Sequence, residues 1–409
     1  MLFAAEPTGY IIDQRGKYSY PEYIVTAVPS MNNDETAKDK NNNIVKYDVI
    51  RRIHDASHIY VGRYDTNTDK LKVRQVSDSD KSKWADGTSI TFSDEDDVFM
   101  KLPEFWYKCT ELASDLYELL FTMDEEDTDN TWNHWEGNTF IGVYKGYIVT
   151  TEEEVDGETV TTLKLYSKTG VTPSDHISWA NATTAARNRY NNNKYRCVTY
   201  EAHQIMVLLG YGWIGTTESK YIVGRGSYVS KKTTGLCDAK GMTDTVNNVD
   251  GGEYNRKNTT GTTDPVSINF WGLENWWGDC KEIIDNLTKS EYTITILDAD
   301  LETVIRTVAL PLTGNGSTSD RVPGKLVLGN YVDVFAANIS GGTTVDANFC
   351  DGQQFRKVSG TYILRSHLRN NIYGGLNSLS APNSTKADGN STRLLYKGEF
   401  EIVETLDNE

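Results

Sequence analysis

The chain has 409 residues, 38% of them hydrophobic, and a formal net charge of −17. That length can bury a large core and favours two or three domains. The acidic balance argues against nucleic-acid binding, which needs a basic face. No apolar run approaches the roughly 20 residues of a membrane span, so we expect no membrane insertion. Residues 1–5 are too short for the apolar core of a signal peptide, so we expect synthesis in the cytoplasm without one.

Residues 1–95 are interpreted as a β-rich N-terminal attachment or accessory domain. Three stretches in it have strand-like composition or alternation: Tyr23–Val28, His58–Tyr64 and Lys70–Val76. The polar stretch Met31–Asn43 is predicted to be a loop. The sequence does not say what this domain would attach to.

The pattern of strands strengthens after residue 95. Val98–Lys108 is strand-like but is interrupted by Pro103, which suits an edge strand or a bulge. Phe140–Thr150 and Val160–Tyr166 are predicted to form a hairpin around an acidic connection.

Two helices are predicted next. The first is capped by Asn181 and carries small residues at helical spacing. The second is capped by Thr199, carries an apolar stripe and ends at Gly210. Two histidines, His176 just before the first helix and His203 within the second, are interpreted as structural residues.

A polar stretch and a Trp-rich motif follow. Residues 213–268 are rich in Gly, Thr, Asn and Asp and are predicted to be a long surface excursion. Residues 269–286 read NFWGLENWWGDCKEIIDN, and we interpret them as a core crossing with irregular, tightly packed backbone. Gly272 and Gly278 permit the positive φ that such a backbone needs.

Three more strands are predicted after the Trp-rich motif. They are Tyr292–Leu297, Thr303–Leu310 and Lys325–Val334.

The five cysteines stand at positions 109, 197, 237, 280 and 350, without a CxxC pair or metal-ligand spacing. Cys109 and Cys280 lie beside aromatic or apolar residues and are interpreted as buried free thiols. We therefore predict no disulfide framework, no metal site and no cofactor. This composition is typical of a protein made in a reducing compartment.

The stretch 362–398 is the most informative for function. It mixes aromatic, Asn, Ser and Gly residues without the period of a helix or a strand, and such residues supply rigid contact area and adaptable hydrogen bonds in binding surfaces. An ordinary polar loop is the alternative. The candidate ligand-binding residues are Arg365, His367, Arg369, Asn370, Asn371, Tyr373, Asn377, Ser378, Ser380, Asn383 and Asn390.

Three short motifs carry a resemblance to a known family. They are MKLPEFWYK at 100–108, GLENWWGDCKEIID at 272–285 and STRLLYKG at 391–398. In this order they resemble the opening strand, core motif and closing strand of a C-type lectin-fold group. That group contains the formylglycine-generating-enzyme relatives and the variable proteins of diversity-generating retroelements, among them phage tropism determinants.

The resemblance implies an α+β class and a C-type lectin fold, with two helices and short antiparallel strands, over residues 96–409. Within it, residues 213–268 would be an insertion and 362–398 the variable region. Substitution of Asn-type codons in that family yields residues of the kind found at 370–390. The residues expected to form its scaffold are Trp271, Trp276, Trp277, Glu282 and Arg393.

The function implied is a non-enzymatic, diversifiable ligand- or receptor-binding protein of a phage tail, the virion or a microbial cell surface. Its partner would be a host surface receptor, protein or glycan, or another macromolecule, and a homo-trimer is expected by analogy. A calcium-dependent sugar site is disfavoured because Ala381-Pro382-Asn383 lacks a carboxylate. The alternatives are a structural tail or baseplate component and, third, a formylglycine-generating-type oxidase, for which Cys280 and Cys350 lack a matching context.

Overall fold

The structure is a computed structural model, and it describes residues 7–14, 24–25, 49–214, 268–310, 322–340, 353–354, 361–365, 375–381 and 390–406. This part of the chain is α+β, as predicted from the sequence, with short strands and three α-helices. None of these helices is both long and apolar enough to cross a membrane.

The described helices are α1 (Val49–Asp55), α2 (Trp179–Arg187) and α3 (Tyr200–Ile214). The predicted cap of α2 is wrong: the Ser178 hydroxyl accepts the Asn181 backbone N–H at 3.1 Å, so Asn181 lies inside the helix. The predicted cap of α3 is confirmed, since the Thr199 hydroxyl accepts the Ala202 N–H at 3.4 Å.

Helix α3 runs on through Gly210, where the sequence predicted its end. A Cβ at Gly210 would lie 2.3 Å from Leu376 Cδ2 and 2.9 Å from the Phe270 ring. The glycine therefore serves close packing of the helix, rather than its termination.

The strands before α2 are β1 (Thr8–Asp13), β2 (Ile24–Val25), β3 (His58–Asp65), β4 (Lys70–Gln75), β5 (Asp97–Lys101), β6 (Phe105–Ala113), β7 (Leu116–Thr122), β8 (Asn133–Trp135), β9 (Thr139–Lys145), β10 (Tyr147–Val155) and β11 (Glu158–Tyr166). The break between β5 and β6 contains Pro103, as predicted. Strands β10 and β11 form the predicted hairpin, although its first strand begins only at Tyr147.

The strands after α2 are β12 (Tyr195–Cys197), β13 (Asn269–Phe270), β14 (Leu273–Glu274), β15 (Lys281–Ser290), β16 (Thr293–Leu297), β17 (Val304–Ala309), β18 (Val322–Val327), β19 (Phe335–Ser340), β20 (Gln353–Gln354), β21 (Thr361–Arg365), β22 (Leu379–Ser380), β23 (Asn390–Ser391), β24 (Arg393–Lys397) and β25 (Phe400–Ile402). The strand predicted over Lys325–Val334 is wrong in part. A turn closed by the Val332 N–H and the Gly329 carbonyl, at 2.8 Å, separates β18 from β19.

One seven-stranded sheet has the order β12-β24-β9-β5-β3-β4-β25. Its central strands are covered on both faces, because alternate residues enter two different apolar clusters. In β3, Ile59 and Val61 join the cluster that contains α3 and the Trp-rich motif. Tyr60 and Tyr64 join the cluster that contains the alanines of α2.

Two further sheets complete the main architecture. One has the order β2-β1-β7-β6-β8, and the other has the order β17-β16-β15-β21-β22-β20, with β23 paired to β15. Strand β1 pairs with β7, β3 with β5, and β4 with β25. The described part of residues 1–95 is therefore built into the same sheets as the rest of the chain and forms no sheet of its own.

Candidate functional site

The Trp-rich motif has the irregular backbone that its glycines predict. Strands β13 and β14 are joined by a two-residue turn in which Trp271 and Gly272 have φ of 51° and 82°. Positive φ at both central positions is the requirement of a type I′ hairpin turn. Asn275, Gly278 and Asp279 also have positive φ, of 49°, 81° and 55°. Such strain at non-glycine residues persists only where the surrounding packing fixes it.

That packing is dense around the motif. Trp271, Trp276 and Trp277 are at most 1% exposed. The Phe270 and Trp277 rings lie 5.2 Å apart, and the guanidinium carbon of Arg365 lies 3.4 Å from the centre of the Trp276 ring. A cation held over a desolvated indole is a stabilising arrangement. The motif is thus an interior crossing, as predicted, and the charged side chain of Arg365, from β21, packs against it.

The centre of this interior is the carboxylate of Glu282, which is 0% exposed. Arg393 donates to it at 2.8 and 3.1 Å, Lys145 Nζ lies 3.0 Å from Oε1, and Arg365 donates through a short contact. The remaining Arg393 donors reach the carbonyl oxygens of Gly142, Val143 and Glu274 at 2.6–2.8 Å. We call Glu282, Lys145, Arg365 and Arg393 the Glu282 centre.

The Glu282 centre keeps its charges despite burial. Burial opposes ionisation of Glu282, but the charges of Arg365, Arg393 and Lys145 outweigh it and hold the pKa of this carboxyl far below its usual range. Burial lowers the pKa of Arg365 to about 10, against the opposing effect of Glu282. Both groups are therefore ionised near neutral pH.

The centre joins strands that are far apart in the sequence. Lys145 and Arg393 stand directly opposite each other on β9 and β24. Two like charges in such a pair repel, and the Glu282 carboxylate between them removes that repulsion. Strand β15 runs between β21, where Glu282 pairs with Arg365, and β23, where it pairs with Ser391.

This geometry brackets the stretch predicted to bind ligand. Arg365 ends β21 immediately before residue 366, and Asn390 begins β23. The two ends of the intervening chain, residues 366–389, are therefore fixed on opposite sides of one strand. The Glu282 carboxylate holds both Arg365, at the end of β21, and Arg393, which lies three residues after the start of β23.

The structure places five of the candidate ligand-binding residues in the interior. Arg365, Asn377, Ser378, Ser380 and Asn390 are all at most 1% exposed. Asn377 donates to the Val334 carbonyl at 3.0 Å and lies 3.3 Å from His203 Nε2. A side chain with no accessible surface has nothing to offer a macromolecular ligand, so these five belong to the interior.

The other six candidates lie outside the described residues: His367, Arg369, Asn370, Asn371, Tyr373 and Asn383. The scaffold residues Trp271, Trp276, Trp277, Glu282 and Arg393 all lie in the interior. Of the three tryptophans, Trp276 packs against the Glu282 centre, with its ring 3.4 Å from the guanidinium carbon of Arg365 and 5.5 Å from that of Arg393. The sequence analysis missed Lys145. The signal was present in the sequence, because Lys145 ends a run, residues 139–145, whose other members are mostly apolar. In the structure this run is β9, and all of its residues are buried.

His203 is a buried residue of the interior, which agrees with its interpretation as a structural residue. It is 0% exposed in α3, and its Nε2 faces the Asn377 amide. Burial, helped by the charge of Arg365, lowers the pKa of His203 to about 3. The imidazole is therefore neutral across the physiological range and does not act as an acid–base group there.

The cysteine prediction needs correction. Cys280 is disulfide-bonded, so its interpretation as a free thiol, and the prediction of no disulfide framework, are wrong. Wide spacing in the sequence carries no information on pairing, which explains the error. Cys109 is free, and burial raises its pKa to about 11, which makes it a poor nucleophile. Over the described ranges, no group of three His, Cys, Asp or Glu side chains is placed to hold a metal ion.

Comparison with known proteins adds no relative. No protein-family model matches the chain, and no curated protein sequence is significantly similar to it. The C-type lectin resemblance therefore rests on the three sequence motifs alone and stays a prediction.

Proposed function

We propose that this chain is a non-enzymatic recognition protein on a C-type lectin-like scaffold, whose ligand contacts come from residues 366–389 other than the buried stretch 375–381. The observation that carries the proposal is the Glu282 centre. One buried carboxylate holds Arg365 and Arg393, which flank this stretch, and β15 separates its two ends.

The physical advantage of such an arrangement is pre-organisation. A segment whose ends are fixed loses less conformational entropy on binding, and its side chains can vary without loss of the supporting core. The sequence between Arg365 and Arg393 supplies Asn, Ser, Arg and Tyr, the residue types of adaptable binding surfaces. The partner would be a receptor, protein or glycan, on a host surface, and the chain would be displayed on a virion or a microbial cell.

The first test is deep sequencing of this gene across its source population. We expect substitutions to concentrate at codons 367–374 and 383, and to be rare at the five interior positions Arg365, Asn377, Ser378, Ser380 and Asn390. Asn377 is the sharpest internal control, because it is an Asn codon within the segment whose side chain is fully engaged. If codons 367–374 are as constant as those of Trp276 and Trp277, the diversified-binder proposal fails.

The second test measures adhesion directly. The purified full-length chain, labelled with a fluorophore, is incubated with a panel of microbial cells from the source habitat and counted by flow cytometry. The double variant Asn371→Ala/Tyr373→Ala should lose adhesion while its melting temperature stays unchanged. Tyr331→Ala, at a tyrosine that is 60% exposed, is the matched control and should still adhere. Loss of particle assembly with adhesion intact would instead support the structural tail or baseplate role.

A further inference from the structure

The predicted ligand segment returns to the interior at its middle. Residues 375–381 are all buried, and Leu376 and Leu379 join the apolar cluster that contains α3 and the Trp-rich motif. Strand β22 also pairs with β21 on one side and with β20 on the other. The chain from Arg365 to Asn390 is therefore held at its two ends and at its middle.

Asn377 fastens this middle stretch through its side chain. Its amide nitrogen donates to the Val334 carbonyl at 3.0 Å, and its amide oxygen lies 3.3 Å from His203 Nε2. The backbone carbonyl of Asn377 accepts from Gln353 Nε2 at 3.4 Å. Because the amide nitrogen faces Val334, the amide oxygen faces the imidazole, so the neutral His203 carries its proton on Nε2 and donates it. One side chain thus connects the segment to α3 and to the residue before β19.

Ser380 lies in the same stretch but fastens nothing. It is also 1% exposed, yet its hydroxyl makes no hydrogen bond to any residue that the structure describes. Truncation of Asn377 removes two buried hydrogen bonds, whereas truncation of Ser380 removes none of this kind. The two residues therefore form a matched pair for substitution within one buried stretch.

Fixing the middle of a segment changes how its two parts depend on each other. A segment held only at its ends is one long closed chain, in which a substitution at any place shifts the rest. A segment held also at its middle is two shorter chains, each closed by itself. We propose that Asn377 is a positioning residue of the ligand segment, which makes residues 366–374 and 382–389 two parts that bind and vary independently. This inference rests on the function proposed for the segment.

The role of Asn377 is tested without any ligand, by hydrogen exchange of the full-length chain followed by mass spectrometry. Asn377→Ala should speed exchange of the 376–381 amides at least about tenfold, since each lost hydrogen bond is worth roughly a factor of five. The amides of β9 should keep their wild-type rates, and Ser380→Ala should match the wild type throughout. His203→Gln should also match it, because the new amide nitrogen replaces Nε2 as the donor, whereas His203→Ala should resemble Asn377→Ala.

Independence of the two parts is tested by adhesion to the cells that bind the wild-type chain, counted by flow cytometry. Tyr373→Ala and Asn383→Ala lie on opposite sides of the buried stretch. The fold-losses of these two variants should multiply to within about a factor of two when they are combined. In the Asn377→Ala background the combined loss should depart from that product by at least about fivefold. A residue that only stabilised the fold would leave the product unchanged.

Three results would overturn the inference. One is a rise in exchange that is as large in β9 as in 376–381, which would mean that Asn377 stabilises the whole fold. Another is equal exchange in Asn377→Ala and Ser380→Ala. The third is a product of fold-losses that is the same with and without Asn377. If no cell binds the wild-type chain, the function proposed for residues 366–389 fails, while hydrogen exchange still decides whether Asn377 fixes the middle of the segment.

Discussion

Two carboxylates three residues apart on β15, Glu282 and Asp285, have similar partners and different surroundings. Both are 0% exposed, and both meet two arginines. The arginines of Glu282 are at most 1% exposed and are joined by the buried Lys145. Arg187 and Arg196, which pair with Asp285, are 20% and 10% exposed. We infer that the stability lost when a buried carboxylate is neutralised depends on whether its partners can reach water, rather than on the burial of the carboxylate itself.

The largest effect is expected from Glu282→Gln. This change keeps the shape of the side chain but leaves three buried cations without their shared carboxylate. We expect a loss of about 3–5 kcal/mol in the free energy of unfolding. Urea denaturation followed by tryptophan fluorescence measures it, with the exposed Glu404→Gln as a control near zero. A loss below about 1 kcal/mol would mean that water reaches the Glu282 centre.

A smaller effect is expected from Asp285→Asn. Arg187 and Arg196 lose a charged acceptor, but their partly exposed guanidinium groups can turn to water. We expect a loss of about 2 kcal/mol, the scale of hydrogen bonds to a charged group. The same urea experiment tests it. If Asp285→Asn destabilises as much as Glu282→Gln, access to water is not the deciding factor.

The Glu282 centre also predicts a dependence of stability on pH through its neighbour His203. The folded pKa of His203, about 3, lies below its unfolded value of about 6.5, so only the unfolded chain gains a proton as pH falls. The contribution of His203 to stability should therefore decline from pH 6.5 downwards, by on the order of 2 kcal/mol at pH 5, while Asp97, whose buried carboxyl has its pKa raised to about 6, acts in the opposite direction. The His203→Gln variant should lack this decline. Glu282 itself contributes no loss at pH 5, because its folded pKa is lowered and the loss starts only near its unfolded pKa of about 4.3.

The smallest effect is expected from Arg187→Met. This arginine bonds Asp285 at 3.2–3.3 Å, but Arg196 still holds the same carboxylate at 2.8 Å. The methionine keeps the apolar stem, so we expect a loss of about 1 kcal/mol or less. Thermal unfolding of Arg187→Met beside Arg393→Met measures the contrast. Equal shifts in melting temperature would contradict the distinction between the two clusters.

Local chemistry made part of this fold predictable. Gly272 and Gly278 predicted backbone with positive φ. Pro103 predicted a break between strands, and Thr199 predicted the start of α3. These signals act over a few residues, so the sequence displays them directly. The α+β class, which the family resemblance implied, agrees with the structure.

Long-range pairing could not be read in this way. Glu282 meets Arg365 and Arg393 at separations of 83 and 111 residues, and no local pattern encodes such partners. For the same reason Arg365 and Asn377 looked like loop residues available to a ligand, although both are interior. The pairing of β4 with β25, far along the chain, could not be predicted for the same reason.

The position of β24 and β25 has a consequence for biosynthesis. Strands β9, β5, β3 and β4 leave the ribosome first, but their sheet is closed on one side by β24 and on the other by β25. About 250 residues of translation separate β9 from β24, which is roughly 12–50 s at 5–20 residues per second. During that time β4 and β9 expose unpaired edges, and the side chains of β9 are largely apolar. The nascent chain should therefore depend on chaperones that shield these edges, and fragments that stop before residue 393 should aggregate when expressed.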